Sequence, residues 1–598
     1  MAFGLIPGII CYSTVPYTGS TGSTTTYIRQ ITIDHTQILG SGFTNFIVFV
    51  KLDHSTLQNV NDGGHVANIN GNDIKFYDTD FNLLTWDIEY YDSADLYAPG
   101  LLCAWVKLPY ISSQTDTIFY ISYGGKITQN FVGGNPWGSE YVGVYHLGDG
   151  MDSTANHLNL MAHNVSAITF TVPTRYGTLF NEHPPVYYKY EGQSSKFNIV
   201  SGITLSCWLN IPDGVTNPRN VIMGRWTDSE YGYALLLISN NLYMVVKDSN
   251  VPGTNGLFSC IFNNITPYWD QWINIVGTFV PNQGVYLYIN GQLAASNEIN
   301  PISIQNISDV PFYIGTGDNS GNPQYGFNGY IGECKVINTP LSGDQISNEY
   351  TNQINPGNIG SAGLMTIGDE SGISSGYVFY IDSSTYTPQN STWYDLSPNG
   401  QHVTLIGSPT FDQNDANGAI IFDHAQYGLV PYTSNFNFAD GNPFTYETWV
   451  KFDNFDNVVI PFSSGVYLAN FDWGLEIMNS TTVRFCSSGT ASYVLKTIRT
   501  LSPGTWYHFA ITATLKQANT YYLNIYLNGV KIIVSQEIQM SNFNSGGQIE
   551  IAGYGFTGNP LAYGKLVGRL GVCRVYRRYL SDLQIKINFG VEKNRFGY

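Results

Sequence analysis

The stretch that decides the fold is GTWYHFAITATLKQANTYYLNIYLNGV, Gly504 to Val530. Tyr521, Leu523, Ile525 and Leu527 are apolar on one parity, whereas Tyr522, Asn524 and Tyr526 take the other, the period of a strand with one buried face. Asn528-Gly529 follows, the dipeptide that best tolerates the positive φ of a tight hairpin turn. The same device occurs earlier as WINIVGTFVPNQGVYLYING, Trp272 to Gly291, with Val285, Leu287 and Ile289 on the inward parity and Tyr286 and Tyr288 on the outward one. A β domain is therefore repeated within the chain.

Composition agrees with that reading. The chain has 598 residues, too many for one core, and the repeat predicts three domains. Charged residues make up 12% and aromatics 15%, a balance that suits turn-rich β sandwiches and argues against disorder. A formal net charge of −18 argues against a nucleic-acid partner, because phosphate binding needs Lys/Arg clusters. The nearest basic group, Arg574, Arg577 and Arg578, reads as a solvated strand exit.

Seven widely spaced cysteines form neither a disulfide framework nor a CxxC metal site, and contexts such as LLCAWV and LSCWL predict small buried hydrophobes made in a reducing compartment. The N-terminal run MAFGLIPGIICYSTVPYTGS lacks a basic region and is broken by Pro7 and Gly8, so no signal peptide is expected. No later run is long enough for membrane insertion. These features suggest release by lysis, as virion proteins are released.

In chain order, residues 1–25 read as a Gly/Ser/Thr-rich docking arm ending in TGSTGSTTT. Residues 26–130 read as a small β domain, 136–353 as a first large sandwich ending in a short helix, 354–376 as a Gly/Ser-rich linker, and 377–598 as a second large sandwich. Gly329, Gly332, Cys334, Val336, Leu341 and Ile346 fall on Gly568, Gly571, Cys573, Val575, Leu580 and Ile585 in the second copy.

The small domain resembles the domain of unknown function that precedes laminin-G-like domains in microbial surface proteins, on Asp73-Ile74-Lys75-Phe76, Trp105-Val106-Lys107 and Tyr123-Gly124-Gly125. The two larger domains resemble the laminin-G-like, concanavalin A-like jelly roll. The residues that carry this are Trp208 and Trp449, Trp506-Tyr507-His508-Phe509-Ala510, Tyr288-Ile289-Asn290-Gly291 and Tyr526-Leu527-Asn528-Gly529. The resemblance implies an all-β chain: two antiparallel jelly-roll sandwiches plus a smaller N-terminal β sandwich. Where the family commonly has an acidic pair, this chain has Gly332-Glu333 and Gly571-Val572.

Catalysis is not expected. Glycosidases of this class place carboxylates as E-x-D-x-E on one strand face. Glu447 has no acidic neighbour two or four residues away, and Glu476 has only Asp472. His508, His146 and His402 lie in framework segments, and no Ser-His-Asp or H-E-x-x-H pattern occurs. Binding fits better. The resemblance implies rim loops that hold Ca²⁺ and a glycan or protein, and Asp149 with Asp152, or Asp318 with Asn319, offers oxygen ligands, although turn geometry selects the same residues. Tyr286, Tyr288, Tyr522 and Tyr526 are expected to form an outward aromatic face for a protein interface or a sugar. The functional expectation is a structural or interaction protein of a virus particle, a capsid-decoration, fibre or tail component. It would contact other virion proteins through the arm, act as a homo-oligomer or within a large assembly, and meet host surface glycans or proteins. The rivals are a microbial surface adhesin or lectin and, more remotely, a polysaccharide-degrading enzyme.

Overall fold

A computed structural model describes residues 26–598 apart from 96–97, 126–132, 166–167, 170–176, 193, 214–218, 228–230, 249–255, 299–302, 308–309, 320–321, 373–375, 389, 456–457, 467–469, 488–491, 518, 541–548 and 554–564. The docking arm expected at 1–25 lies outside the described residues. The chain divides into two compact units: one runs to Thr79 and resumes over Leu83–Glu370, and the other comprises Asp80–Asn82 with Ser371–Tyr598. No helix among the described residues is long and apolar enough to cross a membrane.

The first unit holds the small β domain and the first jelly roll. The small domain packs one sheet, in the order Met365–Ile367, Thr26–Ile33, Thr117–Gly124, Lys75–Tyr77, against another made of Phe43–Asp53, Leu101–Ile111 and Thr85–Asp92. Between them lie Ile31, Val48, Phe76, Val106, Phe119 and Ile121, all fully buried.

One strand of that sheet comes from the segment read as a linker. Residues 365–367 pair antiparallel with 31–33, and Leu364 and Met365 are buried in the small domain's core. Strand pairing thus places the first jelly roll as an insertion within the small domain. Gly and Ser flank Met365-Thr366-Ile367 and mark turns correctly, but three residues are too few to show a strand period.

Each jelly roll consists of two antiparallel sheets. In the first, the front sheet runs Gln292–Asn297, Gly284–Ile289, Trp272–Val280, Ile203–Asn210, Gly329–Ile337, Gly177–Phe180 and Ile168–Thr169, with Tyr141–Tyr145 also on Gly329–Ile337. In the second, the corresponding order is Val530–Gln539, Thr520–Leu527, Trp506–Gln517, Phe444–Phe452, Val567–Tyr576, Ala419–Asp423 and Thr410–Asp412, with Tyr377–Asp382 on Val567–Tyr576. Strand for strand the two front sheets agree. The inward parities are as read: Val285, Leu287 and Ile289, and Tyr521, Leu523, Ile525 and Leu527, are buried in the two cores.

Helices α1 (Gly343–Ile354) and α2 (Asp582–Glu592) close the two jelly rolls. Each begins with a reciprocal capping box, Ser342 with Gln345 and Ser581 with Gln584. The Asn-Gly turns receive these helices. Asn290 and Gly291 have φ of 51° and 74°, and Asn528 and Gly529 have 51° and 72°, so both residues of each turn are left-handed. The Asn side chains bridge to the next strand, Asn290 Oδ1 accepting from the Asn274 N–H and Asn528 Oδ1 from the His508 N–H. A Cβ on Gly291 would stand 3.1 Å from Ser347 Cα and Tyr350 Cβ, and one on Gly529 3.0 Å from Phe589 Cδ1. The glycine therefore serves both the turn and the close approach of the helix.

Two outcomes follow. Gly529→Ala combines a left-handed φ with a steric clash and should cost about 2 kcal/mol or more, against about 1 kcal/mol for Gly504→Ala, which has φ of 75° but open space around it; denaturant melts of the two variants should show that order. Met365→Asp, which puts a carboxylate into the small domain's core, should cost about 3 kcal/mol or more and lower the first thermal transition.

Candidate functional site

The outer face of each front sheet is the first place to look, because the tryptophans, His508, Glu447 and the tyrosines converge there. In the second jelly roll α2 covers it. Trp449 Nε1 donates to Glu592 Oε2 at 2.8 Å, and Arg574 pairs with the same carboxylate. Glu447, fully buried, accepts from Asn588 Nδ2 at 2.8 Å, and His508 Nε2 lies 3.6 Å from its other oxygen. Burial pushes the Glu447 carboxyl up, but His508, Arg574 and Asn588 outweigh it and hold the group below its ordinary range. The first jelly roll repeats the clamp with changed residues: Trp208 Nε1 donates to Gln353 Oε1 at 2.7 Å and stacks on Tyr350, as Trp449 stacks on Phe589. The faces are framework. Glu447 is committed to it, and Glu476 is engaged by Arg484.

The same helices decide the tyrosines. Tyr526 is fully buried beneath α2 among Ala510, Tyr576, Leu580 and Ile585, with its hydroxyl donating to Asp582 Oδ1 at 2.7 Å. It is not an outward interface residue, because strand parity fixes the side a residue faces and not what later packs on that side. Tyr288 is half-buried against the start of α1 near Gly343. Tyr286 and Tyr522 remain partly exposed, the latter with Lys516 Nζ 5.4 Å from its ring centre.

The aspartates weighed as calcium ligands have other tasks. Asp152 accepts from the Val144 and Thr154 N–H groups on Oδ1, and from the Thr154 hydroxyl and Leu158 N–H on Oδ2, which uses its full acceptor capacity. Asp149 Oδ1 accepts from the Met151 N–H in a local turn. Asp318 is buried and accepts from the Tyr313 hydroxyl at 2.6 Å. Asn319 lies in the short strand Gly317–Asn319, opposite Asn322. Asp152 therefore keeps no lone pair for a calcium ion, which takes its ligands from free oxygen acceptors.

An open cleft of about 170 Å³ lies at the rim of the first jelly roll, between the end of the strand Tyr187–Lys189 and Val310–Phe312. Its floor is aromatic: Phe197 stacks on Phe312 at 4.8 Å and meets Tyr190 edge-on at 5.4 Å. Arg225 is buried beneath and donates to the carbonyls of Val310, Phe197 and Ile307, so it fixes the shape of the cleft. At the mouth, Lys189 Nζ stands 2.8 Å from Glu191 Oε2, and His163 Nε2 stands 3.0 Å from Glu191 Oε1. The hydrogen bond from Lys189 is the main cause that holds the exposed Glu191 carboxyl below its ordinary range, with burial opposing it and the hydrogen bond from His163 adding to it. Such a cleft offers an apolar ring face beside charged donors and acceptors, the combination that recognises a polar ring with one flat apolar side. Lys189-Tyr190-Glu191 was missed in the sequence because it ends a strand and shares no period with the residues that line the opposite wall.

Among known proteins, the family profile described as the concanavalin A-like lectin/glucanases superfamily matches residues 189–347 and 423–586, more than half of the chain. No curated protein is matched. Among solved structures, the receptor binding domain of botulinum neurotoxin D is 12% identical, covers 69% of this chain and 96% of its own, and has a TM-score of 0.29. The botulinum neurotoxin serotype D ligand binding domain in complex with N-acetylneuraminic acid is 12% identical over 69% of this chain and 95% of that one, with a TM-score of 0.28. Domain 4 of an extracellular arabinanase from Geobacillus stearothermophilus, in complex with arabinotriose, is 13% identical, covers 36% of this chain and 98% of that one, and has a TM-score of 0.27. With two sandwiches of the same front-sheet order and a profile that matches within each, the chain belongs to the concanavalin A-like lectin/glucanases superfamily.

Proposed function

We propose that this protein is a non-enzymatic recognition protein that binds a glycan through the rim cleft of its first jelly roll. The observation that carries the proposal is the combination of the half-buried Tyr190 with the Lys189–Glu191–His163 charge chain at the mouth. A sugar ring would lay its apolar face on Tyr190 and exchange hydrogen bonds with Lys189 and Glu191 through its hydroxyls. The family to which the chain belongs includes lectins, which supports the same class of ligand. Against hydrolysis stands the engagement of Glu447 by Asn588 and of Glu476 by Arg484, which leaves neither free to act as a general acid or nucleophile.

The setting we propose is a virus particle, with the tandem sandwiches displayed for attachment. Among the described residues, Cys207, Cys260, Cys334, Cys486 and Cys573 are in no disulfide, and all but Cys486 are buried, which suits a protein folded in a reducing compartment before release. Mass spectrometry of purified particles should find the chain in stoichiometric amounts. Its absence from particles and presence on cell surfaces would favour an adhesin.

On a glycan array the whole chain should bind a defined set of sugars, and Tyr190→Ala, which also trims packing against Phe197, should weaken that binding at least tenfold while lowering the thermal midpoint by only about 2–4 °C, so that the chain stays folded at the assay temperature. Retention of full binding by Tyr190→Ala would remove the cleft as the site. Release of reducing sugar from any bound polysaccharide would overturn the non-enzymatic reading.

A further inference from the structure

A second cluster, independent of the rim cleft, lies where the small domain's strand Thr85–Asp92 meets the first jelly roll. Glu89 from that strand, His146 from the segment after Tyr141–Tyr145, and Glu333 from Gly329–Ile337 each bring one ligand-type atom into a group whose members lie within 4.8 Å of one another. The Glu89 and Glu333 side chains are 0% and 1% exposed. Glu89 Oε1 and Glu333 Oε1 are buried without a hydrogen-bond partner.

The imidazole is oriented from behind. His146 Nε2 faces Asp87 Oδ2 at 3.3 Å, and that oxygen also accepts from Trp137 Nε1 at 3.0 Å. Asp87 thereby keeps a proton on Nε2, which leaves Nδ1, directed at the two glutamates, as the nitrogen whose proton a cation would replace. This is the carboxylate–histidine arrangement that positions an imidazole for a metal. Nδ1 lies 2.6 Å from Glu333 Oε2 and 3.7 Å from Glu89 Oε2. Ligands around a tetrahedral Zn²⁺ stand about 3.3 Å apart, between those two separations. Two acceptors at 2.6 Å need a proton or a cation between them. Glu89 Oε2 is itself oriented by Trp105 Nε1 at 2.9 Å.

Charge points the same way. Four carboxylates, Asp87, Glu89, Glu333 and Glu349, gather here, and the fixed cation among them is Lys335, 3.8 Å from both Glu333 and Glu349 and 4.0 Å above the Trp105 ring. Glu89 and Glu333 are the fully buried pair among them, and buried charge is costly unless something neutralises it. The Asp87 and His146 side chains remain 23% and 13% exposed, which leaves an entry path from solvent.

We propose that Glu89, His146 and Glu333 bind a divalent transition-metal ion of the Zn²⁺ or Mn²⁺ type, which pins the small domain to the first jelly roll. Asp87 is a positioning residue for His146, and Lys335 balances the remaining carboxylates. Binding displaces the proton shared by His146 and Glu333.

The test uses the full chain, stripped with chelator and then titrated with Zn²⁺ alone and with Mn²⁺ alone. We expect about one ion per chain by elemental analysis, a higher thermal midpoint on loading, and its reversal by EDTA. Glu89→Gln should abolish stoichiometric binding, and Asp87→Asn should weaken it by about 10–100-fold. Should Glu89→Gln fold poorly, Co²⁺ loading of the unmodified chain gives a second readout, with tetrahedral absorption bands that Asp87→Asn shifts or weakens. Tyr190→Ala should leave metal binding intact, so failure here and failure of the glycan reading are separable. A stripped chain that takes up neither ion and keeps the same midpoint at saturating metal would overturn the proposal and assign the gap to a proton.

Discussion

The indole N–H of one tryptophan, held by a side chain at the far end of a terminal helix, is the contact on which each jelly roll depends. Trp449 donates to Glu592, and Trp208 donates to Gln353. An unpartnered buried indole N–H costs about as much as a lost hydrogen bond, so the helix must sit where it completes this bond. Its position in turn fixes the Asn-Gly turn beneath it, where Gly291 faces Tyr350 and Gly529 faces Phe589. A sheet face that alternation alone would leave to solvent becomes interior. The second jelly roll then places charges there, Glu447, Arg574 and Glu592, and each finds a partner within the same layer.

Within the first unit, the corresponding region joins two domains. Helix α1 carries Asn348 and Asn352, which exchange hydrogen bonds in both directions with the main chain of Leu39 and Phe49 in the small domain. The returning strand Met365–Ile367 adds a second tie, and the Glu89–His146–Glu333 cluster a third. Buried ion clusters contribute little net stability compared with apolar packing but are intolerant of a missing partner, so they specify one arrangement more than they strengthen it. A joint built this way presents the rim cleft on a rigid support, which suits recognition.

Much of this was legible from residues. The hairpins were readable because strand period and an Asn-Gly turn are local signals, and Tyr521 through Gly529 fold as their alternation requires. The repeated framework was readable because the same side chains recur at matched positions, Cys334 with Cys573 and Leu341 with Leu580. Tyr526 was misplaced because its covering helix lies more than fifty residues away in sequence. Asp152 gave the composition of a ligand and the geometry of a turn, and only the four donors around it tell which. Met365 was hidden because a three-residue strand has no period of its own.

By itself, the sequence determined the all-β class, the tandem sandwiches, the inward faces of their hairpins and the turns that close them, since each rests on neighbours within a few residues. The tertiary structure alone decided which outward faces stay open, that the first jelly roll is inserted in the small domain, and which charged residues meet. Lys189, Tyr190 and Glu191 face Val310–Phe312 across more than a hundred residues of chain, and Glu89 meets Glu333 across more than two hundred. Such encounters depend on how sheets stack and which strands pair at long range, and no local periodicity encodes them.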